Sequence, residues 1–200
     1  MLKIKNHIEN TIIVDKSTFI TNIYLVDNTE TIKEILLDTK KKYNDANHNC
    51  YAYVLENGLI QKCSDDGEPV QTAGYPMLDV LKKQNITNVL AITTRYFGGV
   101  KLGTGGLVRA YSKSVSDALL QAEFTTSKEF DRYELEFEYS YYNYINTLEN
   151  ITIETSDFTD IIKLVILISV DNTEDVLEKI KNLTKSKVSI KFIEKIKLDV

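Results

Sequence analysis

Asn88-Val89-Leu90-Ala91-Ile92-Thr93-Thr94 runs straight into Arg95-Tyr96-Phe97-Gly98-Gly99-Val100-Lys101-Leu102-Gly103-Thr104-Gly105-Gly106-Leu107-Val108-Arg109. The first segment is an apolar, β-branched run and reads as a buried strand. A helix is expected from about Thr104 to Glu123, with Leu107, Tyr111, Val115, Ala118, Leu119 and Ala122 as its apolar stripe. Between them lie Gly98, Gly99, Gly103, Gly105 and Gly106. Glycine permits positive φ and lets a ligand approach backbone N–H donors, and a helix N-terminus adds a positive dipole end. Arg95, Lys101 and Arg109 supply cations nearby in sequence. The stretch therefore reads as an anion site, with Thr104 at the start of the helix. Gly98 and Gly103 have P-loop separation, but Thr104 stands where that motif needs lysine, so a Walker-type NTPase does not fit. The same glycines would also serve as tight turns against a packed helix.

Outward from this stretch the first half reads as mixed α/β. Ser17–Val26 is strand-like, with Phe19, Ile23 and Leu25 on one face. Asn28 is placed to cap a helix carrying Ile32, Ile35, Leu36 and Thr39 at helical spacing, and Lys40-Lys41-Lys42 suits its C-terminal end. Cys50–Leu55 and Leu59–Gln61 flank the hairpin signal Glu56-Asn57-Gly58. A helix near residues 73–84 would turn Met77, Val80 and Leu81 inward.

Of the eight glycines, seven lie between Gly67 and Gly106 and none follows, which places a domain boundary near residue 128. The expected domains are 1–128 and 129–200. In the second, strands at Arg132–Tyr139, Ile151–Glu154, Ile161–Val170 and Val188–Lys197 alternate with helices at Tyr142–Leu148 and Thr173–Leu183. That order is ferredoxin-like and makes the fold class α+β. Residues 1–128 carry 15 basic and 14 acidic side chains, whereas 129–200 carry 9 and 15. The acidic second half is a poor surface for a phosphate backbone, and no DNA partner is expected.

The apolar share of 43% and the charged share of 26% are those of a soluble globular chain. No apolar run is long enough to span a bilayer, and the N-terminus has no signal-peptide pattern, so no membrane partner and a cytoplasmic location are expected. Cys50 and Cys63 are too few for a disulfide framework.

A second cluster is Ser64-Asp65-Asp66-Gly67-Glu68-Pro69, followed by Gln71-Thr72-Ala73-Gly74. Asp65, Asp66 and Glu68 could hold Mg²⁺ or order basic groups, with Asp66 or Glu68 paired to Arg95. Alternatively they form an Asp-Gly turn that caps the following helix. Thr72 belongs to the same supporting loop. His48, Cys50 and Cys63 lack a fourth ligand and any CxxC spacing, so no metal site is expected. No nucleophile elbow or cofactor signature occurs, and neither a catalytic residue nor a cofactor is assigned. Tyr139, Tyr141, Tyr142 and Tyr144 could stack bases, but their acidic setting favours a half-buried surface.

Three ordered motifs, Ala46–Tyr53, Asp65–Gly74 and Arg95–Ser112, resemble those of the IMPACT family, more narrowly its bacterial YigZ-type members. The resemblance implies an N-terminal ribosomal protein S5 domain 2-like domain and a ferredoxin-like C-terminal domain, a pairing similar to the last two domains of elongation factor G. Eukaryotic relatives restrain activation of a translation-initiation kinase by competing for its co-activator. The implied function is a translation-related regulator, not an enzyme, that meets RNA phosphate, the ribosome or a translation factor through the Gly-rich basic loop. A phosphate- or nucleotide-handling enzyme using Mg²⁺ and a protein-interaction module are the alternatives. Family members usually carry Ser-Gly after Glu-Pro. Here Val70-Gln71 takes that place, and Gln71 would narrow or re-aim the site.

Overall fold

In the computed structural model, which describes residues 1–200, the first half of the chain runs β1 (Leu2–Ile4), β2 (Ile8–Val14), β3 (Ser17–Leu25), α1 (Thr29–Lys42), β4 (His48–Leu55), β5 (Ile60–Ser64), α2 (Gly74–Lys83), β6 (Val89–Tyr96) and α3 (Gly103–Leu119). The second half runs β7 (Phe124–Phe137), α4 (Tyr142–Asn146), β8 (Ile151–Phe158), β9 (Ile162–Ser169), α5 (Thr173–Leu183) and β10 (Ser189–Asp199). The chain divides into two compact units, Met1–Thr126 and Ser127–Val200. The class is mixed α/β.

In the first unit the sheet order is β2-β3-β6-β4-β5, with every neighbouring pair antiparallel. Strand alternation explains how both faces are covered. Phe19, Ile23, Cys50, Ala52, Val54, Val89 and Ala91 turn to one side, where Met77 and Leu81 of α2 and Leu107, Tyr111 and Val115 of α3 pack on them. Tyr53, Leu55, Leu90 and Ile92 turn to the other side, against Ile32, Ile35 and Leu36 of α1. The α1 N-terminus is fixed by the Asn28 side chain, which accepts from the Thr31 N–H at 2.8 Å.

β6 continues two residues beyond Thr94, so Arg95 is a strand residue with the parity of Ala91 and Thr93. Leu25, grouped with Phe19 and Ile23 from the sequence, lies at the strand end and is exposed. Leu78 joins Met77 and Leu81 in the core, and Val80 packs against them half-buried. The β2–β3 hairpin turns on Asp15 and Lys16, both at positive φ (45° and 67°). Because neither is Gly or Asn, the turn leaves no usual mark in the sequence. β1 pairs with Phe124–Thr126 at the start of β7.

The second unit has sheet order β10-β7-β9-β8, again wholly antiparallel. Leu135, Phe137, Ile162, Leu164, Ile166 and Ile168 meet Ile145 of α4 and Val176 and Ile180 of α5. α4 stops at Asn146, and β8 extends four residues past the expected Glu154. Arg132 pairs with Glu154 and Glu194, Lys163 with Glu136 and Lys191 with Glu134, so these three cations already have acidic neighbours. Tyr139 and Tyr142 lean on Phe158, at centroid distances of 6.5 and 5.4 Å. No helix of the chain is long and apolar enough to cross a membrane.

Candidate functional site

The register of β6 sets Arg95 opposite Phe19 on β3 and His48 on β4, on the face covered by α3. Arg95 is only 5% exposed. Nη1 donates to Glu68 Oε1 at 2.7 Å and Nη2 to Ser17 Oγ at 3.3 Å. Nε is buried and finds no acceptor in the protein. The Tyr111 hydroxyl donates to the same Glu68 oxygen at 2.8 Å. Glu68 thus joins the sheet, its own loop and α3 through one carboxylate.

His48 lies at the rim of this group, with Nε2 3.8 Å from Glu68 Oε2. Its Nδ1 is 2.9 Å from the Asp66 carbonyl oxygen, which can only accept, so Nδ1 carries the hydrogen. Burial pushes the Cys50 thiol well above its usual range, and the nearby carboxylates push the same way. Its sulfur donates to the Asp65 carbonyl at 2.9 Å and lies 3.4 Å from the Tyr111 hydroxyl. Cys50 is a packed, protonated thiol and a poor nucleophile.

The three carboxylates of the acidic loop have separate tasks. Asp65 accepts from the N–H groups of Gln71 (2.9 Å), Ala73 (3.0 Å) and Gly74 (2.8 Å), which satisfies the start of α2. Asp66 accepts from the Asn49 N–H at 2.7 Å and lies 3.6 Å from Lys40 Nζ. Of the three, Glu68 alone orders an arginine. Thr72 Oγ1 donates to the Pro69 carbonyl at 2.6 Å and tightens the same turn.

The glycines divide likewise. Gly98 N–H is 3.3 Å from Ser17 Oγ, and a Cβ there would stand 1.9 Å from the Lys16 carbonyl oxygen. Gly98 is a packing glycine on the β2–β3 turn rather than part of a cradle. Gly103 opens α3 at φ 68°, with nothing within 4 Å of a Cβ position.

A cleft of about 410 Å³ lies between this strand end and α3. His48, Glu68, Arg95 and Phe97 line one side, and Lys101, Gly103 and Thr104 the other. It gathers five of the residues singled out from sequence: Glu68, Arg95, Lys101, Gly103 and Thr104. Asp65, Asp66, Thr72, Gly98, Gly99, Gly105, Gly106 and Arg109 are not in its wall. Arg109 is exposed on α3, its Nη1 3.5 Å from a Cβ placed on Gly105. Phe97 and His48 are wall residues that the anion pattern did not single out. An aromatic between a buried strand and a Gly-Gly pair was the available signal for Phe97.

Gln71, expected to narrow the site, is also outside the wall. It lies at φ 61°, a left-handed position that favours glycine. The departure from Ser-Gly therefore acts on backbone strain. Gln71→Gly is expected to change stability by less than about 1 kcal/mol, favourably if relief of strain exceeds the added chain entropy of glycine. Chemical denaturation checks this, and a loss above ~1 kcal/mol would show that the Gln71 side chain matters to the loop.

Residues 15–119 match the model of the Impact N-terminal domain. The IMPACT family member YvyE of Bacillus subtilis is 52% identical over 112 residues, covering 56% of this chain and 52% of that protein. The chain thus spans about half the length of that relative. An IMPACT family member from Haemophilus influenzae is 31% identical over 187 residues, covering 90% of this chain and 91% of its own. The crystal structure of a protein described as hypothetical covers 96% of this chain and 97% of its own, at 30% identity and a TM-score of 0.62.

Proposed function

The chain belongs to the IMPACT family, and from that premise we propose that it is a non-enzymatic, cytoplasmic regulator of translation that binds RNA phosphate in the cleft between Arg95 and the start of α3. The observation that carries this reading is that Arg95, a residue of the cleft wall, has a buried Nε–H without a protein acceptor. A buried donor left unpaired costs about 1–3 kcal/mol, and a phosphate oxygen is an acceptor that would meet it. Beside it α3 begins at Gly103, bringing N–H groups and a positive dipole end. Lys101 adds an exposed charge. The translation setting follows from the resemblance to the eukaryotic relatives.

Phosphoryl transfer with Mg²⁺ is the weaker reading, because Asp65 is committed to three backbone N–H groups and Asp66 to another and to Lys40. We also infer that the first unit belongs with S5 domain 2-like folds and the second with ferredoxin-like folds. The β-α-β-β-α-β order and the antiparallel strand order β10-β7-β9-β8 support the latter.

Lys101 is exposed and has no structural partner to lose, which makes it the clean test. Lys101→Ala is expected to weaken RNA binding uniformly across sequences and to reduce the slope of log affinity against log salt by about 1. Fluorescence anisotropy over a salt series reads both. An unchanged affinity together with an unchanged slope overturns the phosphate reading.

A further inference from the structure

Phe97 is an aromatic side chain left 45% exposed at the wall of the cleft, and the backbone that carries it is held from several directions. Its N–H donates to Asn47 Oδ1 at 2.7 Å. The preceding residue is tied down by the Tyr96 hydroxyl, which donates to Asp45 Oδ1 at 2.8 Å. The following residue, Gly98, is wedged on the Lys16 carbonyl. The Arg95 guanidinium carbon lies 5.6 Å from the Phe97 ring centroid, within cation–π range. The result is a preorganised aromatic surface next to the buried donor of Arg95 and the start of α3.

We propose that the cleft takes one nucleotide of single-stranded RNA, with its base stacked on Phe97 and its phosphate between Arg95 Nε, Lys101 and the first N–H groups of α3. This rests on the phosphate reading above and adds the class of nucleic acid. Stacking needs a base free of its neighbours. A single strand offers one, whereas a duplex keeps its bases stacked and paired. Every base has a π-face, so the site tolerates any sequence.

The test uses the full chain with a short fluorescein-labelled oligouridylate, an RNA duplex of equal length, and free uridine monophosphate as competitor. Phe97→Ala is expected to weaken oligouridylate binding roughly tenfold while leaving duplex binding and the salt slope unchanged. Phe97→Tyr keeps the ring and is expected to bind as the parent does. Lys101→Ala, by contrast, should lower the salt slope for both RNAs. Phe97→Ala binding the oligouridylate normally, or losing strand and duplex alike, overturns the stacking proposal while a lowered slope for Lys101→Ala leaves the phosphate reading standing. No effect of Lys101→Ala removes the phosphate reading itself. Uridine monophosphate competing more strongly than the oligomer would overturn the assignment to an RNA strand. Phe97 is half in solvent, and circular dichroism on each variant checks that the fold is kept.

Discussion

Arg95→Met is expected to cost the first unit about 3–5 kcal/mol of stability, one of the two largest effects in this chain. Glu68 is 8% exposed, and without the guanidinium its carboxylate would stay buried with the Tyr111 hydroxyl as its one close donor. Breaking a buried pair from one side strands the other charge, whereas replacing both by apolar groups often costs little. The double variant Arg95→Met/Glu68→Leu is therefore expected to recover a large part of the loss. Urea denaturation of the single and double variants reads the coupling, and the melting temperature of the single variant should fall by on the order of 10 °C. A loss below ~1 kcal/mol for Arg95→Met would mean that Glu68 is rescued by water or by His48, whose Nε2 is 3.8 Å away. The same reasoning explains why a weakened interaction with RNA in an Arg95 variant could report unfolding. The exposed Lys101 separates binding from stability.

How much of this could be read from the chain depends on how local each signal is. The α1 cap at Asn28, the Glu56-Asn57-Gly58 turn and the start of the α3 stripe rest on neighbours in sequence and stand close to their expected positions. α3 nevertheless ends at Leu119, short of the expected Glu123, and leaves Ala122 outside the helix. The reach of β6 to Tyr96 could not be read that way. Arg95 ends an apolar run and looks like a loop cation, and only pairing with Phe19 and His48 makes it a buried strand residue. The acidic loop shows a similar limit. Composition offered Asp66 and Glu68 equally as partners for Arg95, but hydrogen bonding to Asn49 holds Asp66 elsewhere. Asp15-Lys16 hid a hairpin because its residues adopt left-handed geometry without the usual Asn or Gly. Each gap lies where a tertiary contact chose between locally equivalent options.

Gly98 carries that lesson furthest, because the sequence groups it with the cradle glycines and the structure gives it a different physical task. A methyl group on Gly98 would meet the Lys16 carbonyl oxygen at 1.9 Å, the Lys16 carbonyl carbon at 2.0 Å and the Ser17 nitrogen at 2.6 Å. All three are backbone atoms, so no rotamer change relieves the clash. Either the β2–β3 turn or the strand end must move, and Gly98→Ala is expected to cost roughly 3 kcal/mol or more, at the upper end of overpacking effects. Movement would also weaken the Gly98 contact to Ser17 Oγ, which is shared with Arg95 Nη2. Gly103→Ala supplies the contrast. Space is open there, but φ is 68°, so the cost should be about 1–2 kcal/mol from backbone strain alone. If the five glycines acted only as a ligand cradle, both substitutions would weaken RNA binding with similar, small effects on stability. Packing predicts instead that Gly98→Ala is clearly the less stable variant in thermal unfolding, with RNA absent. Equal melting temperatures would contradict the close approach at Lys16, and with it the rigid seat beneath Phe97.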